Sequence, residues 1–241
     1  MVLEAGPEGS DLRARAGEVL ARIARAAQRA GRDPAEVKLV AVSKTHTAAL
    51  VREAAASAGL KVFGENRVQE AEAKVEELKG VPDIRWHLIG HLQPNKARKA
   101  ARLFDLIHTV DTAALVERLE RICVEEDRGR LEVLVQVDLA GEASKSGATA
   151  GELPALFEVF GRCSRVHCRG LMTLPPFLED VERVRPFFRR LRALRDEWGA
   201  RGAFGGGAGE LSMGMSHDYE AAAEEGATLV RVGTALFGER G

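Results

Sequence analysis

Cysteine is scarce and unpatterned in this sequence. Cys123, Cys163 and Cys168 form an odd, scattered set, with neither the even count of a disulfide framework nor the paired CxxC spacing of a structural zinc site. Reduced thiols and no metal are the expectation. Charge of one sign is not in excess either: Lys plus Arg total 35 against 36 for Asp plus Glu. That balance removes the general electrostatic reason to expect nucleic acid or an anionic membrane surface as partner. Hydrophobic residues make up 45% of the chain, yet no apolar run approaches the roughly 20 residues of a membrane-spanning helix. The opening stretch MVLEAGPEGSDLRARAGEVL is acidic and Gly-rich before it turns helical, whereas a secretory leader has a basic start and an apolar core. A soluble, cytoplasmic protein is expected, and Tyr219 is its only tyrosine.

What is present is a rhythm. From Val37 onward short aliphatic or β-branched runs alternate with longer helix-like stretches, the pattern of parallel strands joined by crossover helices. The strands are predicted at residues 37–42, 61–64, 85–90, 106–110, 131–139, 166–173, 210–214 and 228–233. Eight strand–helix repeats, with no nucleotide-type loop after the first strand, predict an α/β fold, a single (β/α)8 TIM-type barrel. One domain covers residues 1–241, with an extra helix at about 11–30 packed outside a barrel at about 37–240. Val184, Phe187, Phe188, Leu191, Leu194 and Trp198 recur at helical spacing and predict a long amphipathic helix over 181–198. The glycine-rich stretch GAFGGGAG (202–209) precedes a strand and does not join a strand to a helix, so a flexible connector is expected there, not a phosphate loop.

In such barrels functional groups gather where strands end and loops begin. Those positions hold Ser43-Lys44-Thr45, Glu65-Asn66-Arg67, the run from Gly90 to Lys96, Asp138, Met172-Thr173, the run from Ser212 to Ser216, and Arg231 to Thr234. Lys44 follows the apolar run VKLVAVS. Apolar surroundings favour the neutral form of an amine, which is the form that condenses with an aldehyde to a Schiff base. Taken alone, Lys44 reads equally as an ordinary strand-end lysine paired to a carboxylate. Gly233 and Thr234 open the last helical segment, where free N–H groups suit a phosphate. Ser212 ends strand seven, and the loops after strands seven and eight are the usual phosphate site of these barrels; plain turn chemistry would use the same residues. His87, His91 and His108 lack HExxH spacing and read as polar lining. Glu65 is expected in a structural ion pair with Lys96 or Arg67.

The segments AVSKT (41–45), FGENRVQE (63–70), WHLIGHLQPNK (86–96), LSMGMSHDYEAA (211–222) and VRVGTALFGER (230–240) together resemble the pyridoxal 5′-phosphate (PLP) homeostasis protein family, over about residues 37–240. The resemblance implies a barrel like the N-terminal domain of alanine racemase, with PLP held as a Schiff base on Lys44 for buffering or for delivery to PLP-dependent client enzymes. It further implies Arg231 facing the pyridine nitrogen, and Ser212, Gly233 and Thr234 holding the phosphate. Asn66 is expected near the 3-oxygen of the ring, or alternatively as the N-cap of the next helix. Met172 is expected against the ring face.

An arginine at the pyridine nitrogen cannot surrender a proton to it, so the ring becomes a weak electron sink. The expected role is therefore a PLP carrier without substantial turnover and with no catalytic residues. A PLP-dependent amino-acid racemase is the alternative, weakened because alanine racemase takes a tyrosine from a second domain for which no sequence is left here. A Schiff-base aldolase acting without PLP ranks last. A monomer is expected, since that second domain builds most of the racemase dimer.

Overall fold

The computed structural model describes residues 7–141 and 146–238, with side chains from residue 11; the last two residues of the expected barrel, 239–240, lie outside the described residues. Eight strands close into one barrel in sequential order: β1 (Lys38–Val42), β2 (Val62–Glu65), β3 (Arg85–Leu88), β4 (Leu106–Val110), β5 (Leu131–Gln136), β6 (Val166–Met172), β7 (Glu210–Ser212) and β8 (Leu229–Val232). Every pairing is parallel, including the closing one of β1 with β8. The crossover helices are α2 (Ala48–Ala58), α3 (Val68–Glu77), α4 (Ala97–Leu103), α5 (Ala113–Glu125), α6 (Leu153–Phe160), α7 (Arg185–Ala200) and α8 (Tyr219–Glu224); α1 (Pro7–Arg29) precedes the barrel and the short α9 (Thr234–Phe237) follows β8. The stretch predicted as one helix over 181–198 divides into a short 3-10 turn at Val181–Arg183 and α7. Pro186, at the start of α7, has no N–H to give and suits a helix beginning there.

Side chains alternate across each strand. Leu39 and Ala41 of β1 belong to the large core between barrel and helices, whereas Val40 and Val42 face inward with Ile89, Leu106, Leu134, Met172 and Leu229. Met172 reaches that inner face through an irregularity. Cys168 and Leu171 both pack outward although they are three residues apart, because the pairing with β5 slips between Val133 and Leu134. Gly170 makes the bulge possible: at φ +154° a Cβ there would lie 2.0 Å from the Glu210 carbonyl oxygen, and only glycine tolerates so close a backbone approach.

Helix α1 buries Leu12, Ala16, Val19, Ile23, Ala26 and Ala27, a stripe at i, i+4 and i+7 that needs a partner. It lies on α2, α8 and α9. Its arginines do more than face solvent, since Arg22 and Arg29 pair with Glu220 and Glu224. The glycine-rich stretch 202–209, expected as a flexible connector, is pinned by buried Phe204 and by Arg195 donating to the Gly209 carbonyl at 2.9 Å.

Candidate functional site

Because all strands run the same way, their C-terminal ends share one mouth, and the residues named from the sequence converge there. Lys44 lies two positions beyond inward-facing Val42 and is half-buried. The backbone that carries it is held from outside the barrel. Ser43 Oγ donates to Glu65 Oε1 at 2.6 Å, and Lys74 Nζ donates to the Ser43 carbonyl, to Glu65 Oε1 and to Glu70 Oε1 at 2.7, 2.7 and 3.0 Å. Glu70 also accepts from the N–H of Thr45, a non-glycine residue at φ +67°. Two carboxylates and an ammonium thus grip both peptides flanking Lys44. Glu65 is the structural ion-pair residue expected, but its partner is Lys74, which α3 presents against the end of β2, and neither Lys96 nor Arg67. Burial pushes the Glu65 carboxyl above the ordinary range, against the pull of Lys74 and Ser43.

Removing one partner of a buried pair typically costs roughly 3–5 kcal/mol, so Lys74→Met should lower thermal stability markedly at pH 8. The deficit relative to the parent protein should shrink at pH 5. Glu65, already raised, then binds a proton more readily in the folded than in the unfolded chain, and linkage favours the folded state as pH falls. A deficit independent of pH would remove Glu65 as the group left uncompensated.

On the neighbouring strand β8, where it pairs in register with Val40 of β1, Arg231 is buried on the inner face, its Nη1 donating to Ser212 Oγ at 2.5 Å and its Nη2 to the Thr173 carbonyl at 2.9 Å. Desolvation brings its guanidinium down to about 10, still charged at neutral pH. Ser212 departs from the phosphate role expected of it. Its side chain is fully buried, with its oxygen engaged by Arg231 and by His108 Nδ1 at 2.8 Å, so it has no free edge at the mouth. The loops after β7 and β8 are instead tied together by Ser216, whose Oγ accepts from the Gly233 N–H at 3.1 Å. Arg231 N–H also donates to the Gly214 carbonyl at 3.0 Å. Ser216 and Gly233 are half-buried and Thr234 is exposed, so these groups, unlike Ser212, can meet an incoming anion. The sequence expectation named Ser212 and not Ser216; the two share one parity, and the signal that separates them is where β7 ends, at Ser212.

Asn66 stands at the end of β2, where Gly90 touches it: a Cβ on Gly90 would lie 2.2 Å from the Asn66 carbonyl oxygen. The capping alternative falls away, because the N-cap of α3 is Arg67, without a side-chain capping bond. Beside it a cleft of about 740 Å³ opens, lined by Asn66, Arg67, His91, Gln93 and Lys96 among others. Met172, last in β6, is fully buried on the inner face. Tyr219 points elsewhere: it is buried against α1 under the Arg22 guanidinium, 5.5 Å from its ring centroid. No group of three or more metal-ligating side chains occurs among the described residues. Nor, among them, is any helix long and apolar enough to cross a membrane.

The sequence profile described as "Alanine racemase, N-terminal domain" matches residues 16–241. The pyridoxal phosphate homeostasis protein of Aquifex aeolicus (strain VF5) is 45% identical over 226 residues, 94% of this chain and 97% of that one. The chain belongs to this family. Its counterpart of the same name in Pseudomonas aeruginosa is 48% identical, covering 92% of this chain and 93% of its own. Among solved structures, PipY of Synechococcus elongatus PCC7942 with PLP bound superposes with a TM-score of 0.76 at 44% identity, over 91% of this chain and 100% of PipY.

Proposed function

We propose that this protein binds PLP at the barrel mouth, holds it as a Schiff base on Lys44, and serves intracellular vitamin B6 homeostasis by buffering the aldehyde or passing it to PLP-dependent enzymes. The observation that carries the reading is the convergence, at one end of one barrel, of a half-buried lysine just past the end of β1, a buried arginine on the adjoining β8 and an accessible Ser216–Gly233–Thr234 loop pair. Family membership and PLP in the PipY structure support it. The donor set fits the cofactor: a cation for the ring nitrogen, hydroxyl and N–H donors for the phosphate dianion, and Asn66 for the polar edge of the ring, with Met172 in the apolar layer beneath. When bound, PLP supplies an electrophilic aldehyde. The protein orients that aldehyde toward Lys44 and keeps the ring nitrogen beside a group that remains protonated. We also propose that it acts as a cytoplasmic monomer without substantial turnover.

The phosphate half of the reading has a direct test. Ser216→Ala combined with Thr234→Ala should weaken PLP by at least about 100-fold, since hydrogen bonds to a charged partner contribute about 1.5–3 kcal/mol each. Phosphate-free pyridoxal, measured in the same titration, should change by no more than about threefold on the same principle. Equal losses for both ligands would take these residues out of the phosphate site. Ser212→Ala should behave differently and affect both ligands alike, because it acts through Arg231.

A further inference from the structure

The interior of a (β/α)8 barrel is ordinarily filled by branched apolar side chains, but this one contains a polar file. His87 Nδ1 lies 3.0 Å from His108 Nε2, His108 Nδ1 lies 2.8 Å from Ser212 Oγ, and Ser212 Oγ accepts from Arg231 Nη1. Ser212, His108 and Arg231 are 0%, 0% and 3% exposed, and His87, at 8%, is the only one of the four to approach the surface, at the opposite end of the barrel from Lys44.

Proton bookkeeping gives this file a direction. A guanidinium only donates, so Ser212 must accept from Arg231. The single Ser212 proton then goes to His108 Nδ1; were His108 to donate instead, the buried hydroxyl would have no acceptor among the described residues, at a cost of about 1–3 kcal/mol. With Nδ1 accepting, His108 carries its proton on Nε2 and donates it to His87 Nδ1, so His87 also carries its proton on Nε2. Both rings are neutral in this arrangement. Burial agrees, bringing His87 down to about 4 and His108 well below the ordinary histidine range.

We propose that His108 and His87 are positioning residues: they hold the Ser212 hydroxyl turned away from Arg231, so that the arginine is locked as donor to Ser212 and Thr173 and its remaining N–H groups face the ring nitrogen of the cofactor. This rests on the reading that Arg231 meets that nitrogen. Ser212 is thus a hinge between the histidines and the arginine, and the end of the barrel remote from Lys44 contributes to the electronic state of the cofactor without touching it.

Two measurements test this. In cofactor-free protein, long-range ¹⁵N–¹H spectra of the imidazoles should show both histidines as Nε2–H tautomers that do not titrate between about pH 8 and 5.5. In PLP-loaded protein, His108→Phe keeps a ring but cannot accept from Ser212. It should raise the PLP dissociation constant on the order of tenfold and move the ¹⁵N shift of ring-labelled PLP. His108→Gln, whose amide can both accept from Ser212 and donate to His87, should restore both values to near those of the parent. An Nδ1–H or doubly protonated His108 in the parent protein would overturn the proposal even if His108→Phe does not fold. So would a folded His108→Phe with unchanged affinity and ring-nitrogen shift. Arg231→Gln separates the underlying reading: if it leaves the ring-nitrogen shift untouched, Arg231 does not meet the ring and the link to the cofactor falls, whatever the tautomers are.

Discussion

Borohydride treatment of the PLP-loaded protein should fix the cofactor to the peptide containing Lys44, and Lys44→Ala should reduce that adduct to background while leaving the fold unchanged. Other lysines near the mouth are poorly placed to substitute. Lys74 spends its three N–H donors on Ser43, Glu65 and Glu70 inside the β2–α3 interface, and such an ammonium has no lone pair to offer. Lys96 belongs to the turn after β3, lining the neighbouring cleft. The substitution should be mild for stability, within about 0.5 kcal/mol, because Lys44 makes no ion pair or side-chain hydrogen bond among the described residues and packs no core position. The Ser43–Thr45 grip acts on backbone and on Ser43, so it survives the change. The measurement is absorbance before and after reduction, then peptide mass analysis, with thermal unfolding as control. A reducible adduct persisting in Lys44→Ala would identify a different lysine and undo the central assignment.

The barrel was legible because its signal is local. Each inner strand is a short aliphatic run bounded by polar residues, and observed strands begin or end within a few residues of the predicted ones. Lys44 and Arg231 stood out in the sequence as polar residues within or just beyond such runs. What escaped the sequence depends on parity and on partners distant along the chain. Met172 does lie on the inner side expected of it, but only through the bulge at Gly170, which the sequence did not announce; an alternation count without it sends Met172 outward. Ser212 and Ser216 differ by four residues and look interchangeable in SMGMS; only the position of β7 sends one into the barrel and the other to the Gly233 N–H. Glu65 finds Lys74 because α3 folds back over its own strand, whereas linear proximity favoured Arg67. The histidine file joins strands three, four, seven and eight, a neighbourhood that exists only after the barrel closes.

Free amino acids offered to the PLP-saturated protein should undergo no substantial racemisation or transamination. Arg231 stays protonated and donates, so it cannot give the ring nitrogen the proton that a strong electron sink requires. The candidate acid/base groups are also badly disposed. Tyr219, the sole tyrosine, is buried beneath α1 with its hydroxyl unpartnered among the described residues, and burial pushes that hydroxyl above its ordinary range. His217 is exposed and lies 3.1 Å from the Glu179 carbonyl, while His91 is exposed and lies 3.8 Å from Asp111. Loss of a positioned acid/base alone removes about 10²–10⁴-fold in rate, roughly 3–5 kcal/mol of barrier, before the weak electron sink is counted. Chiral chromatography of alanine and serine incubated with loaded protein is the test, with Lys44→Ala subtracting the chemistry of free PLP. Turnover below about 10⁻² s⁻¹, well under the ordinary enzyme range, is the expected outcome. Turnover above about 1 s⁻¹ would favour the racemase reading and point to His91 or His217, exposed imidazoles in the loops after β3 and β7, as the groups to replace next.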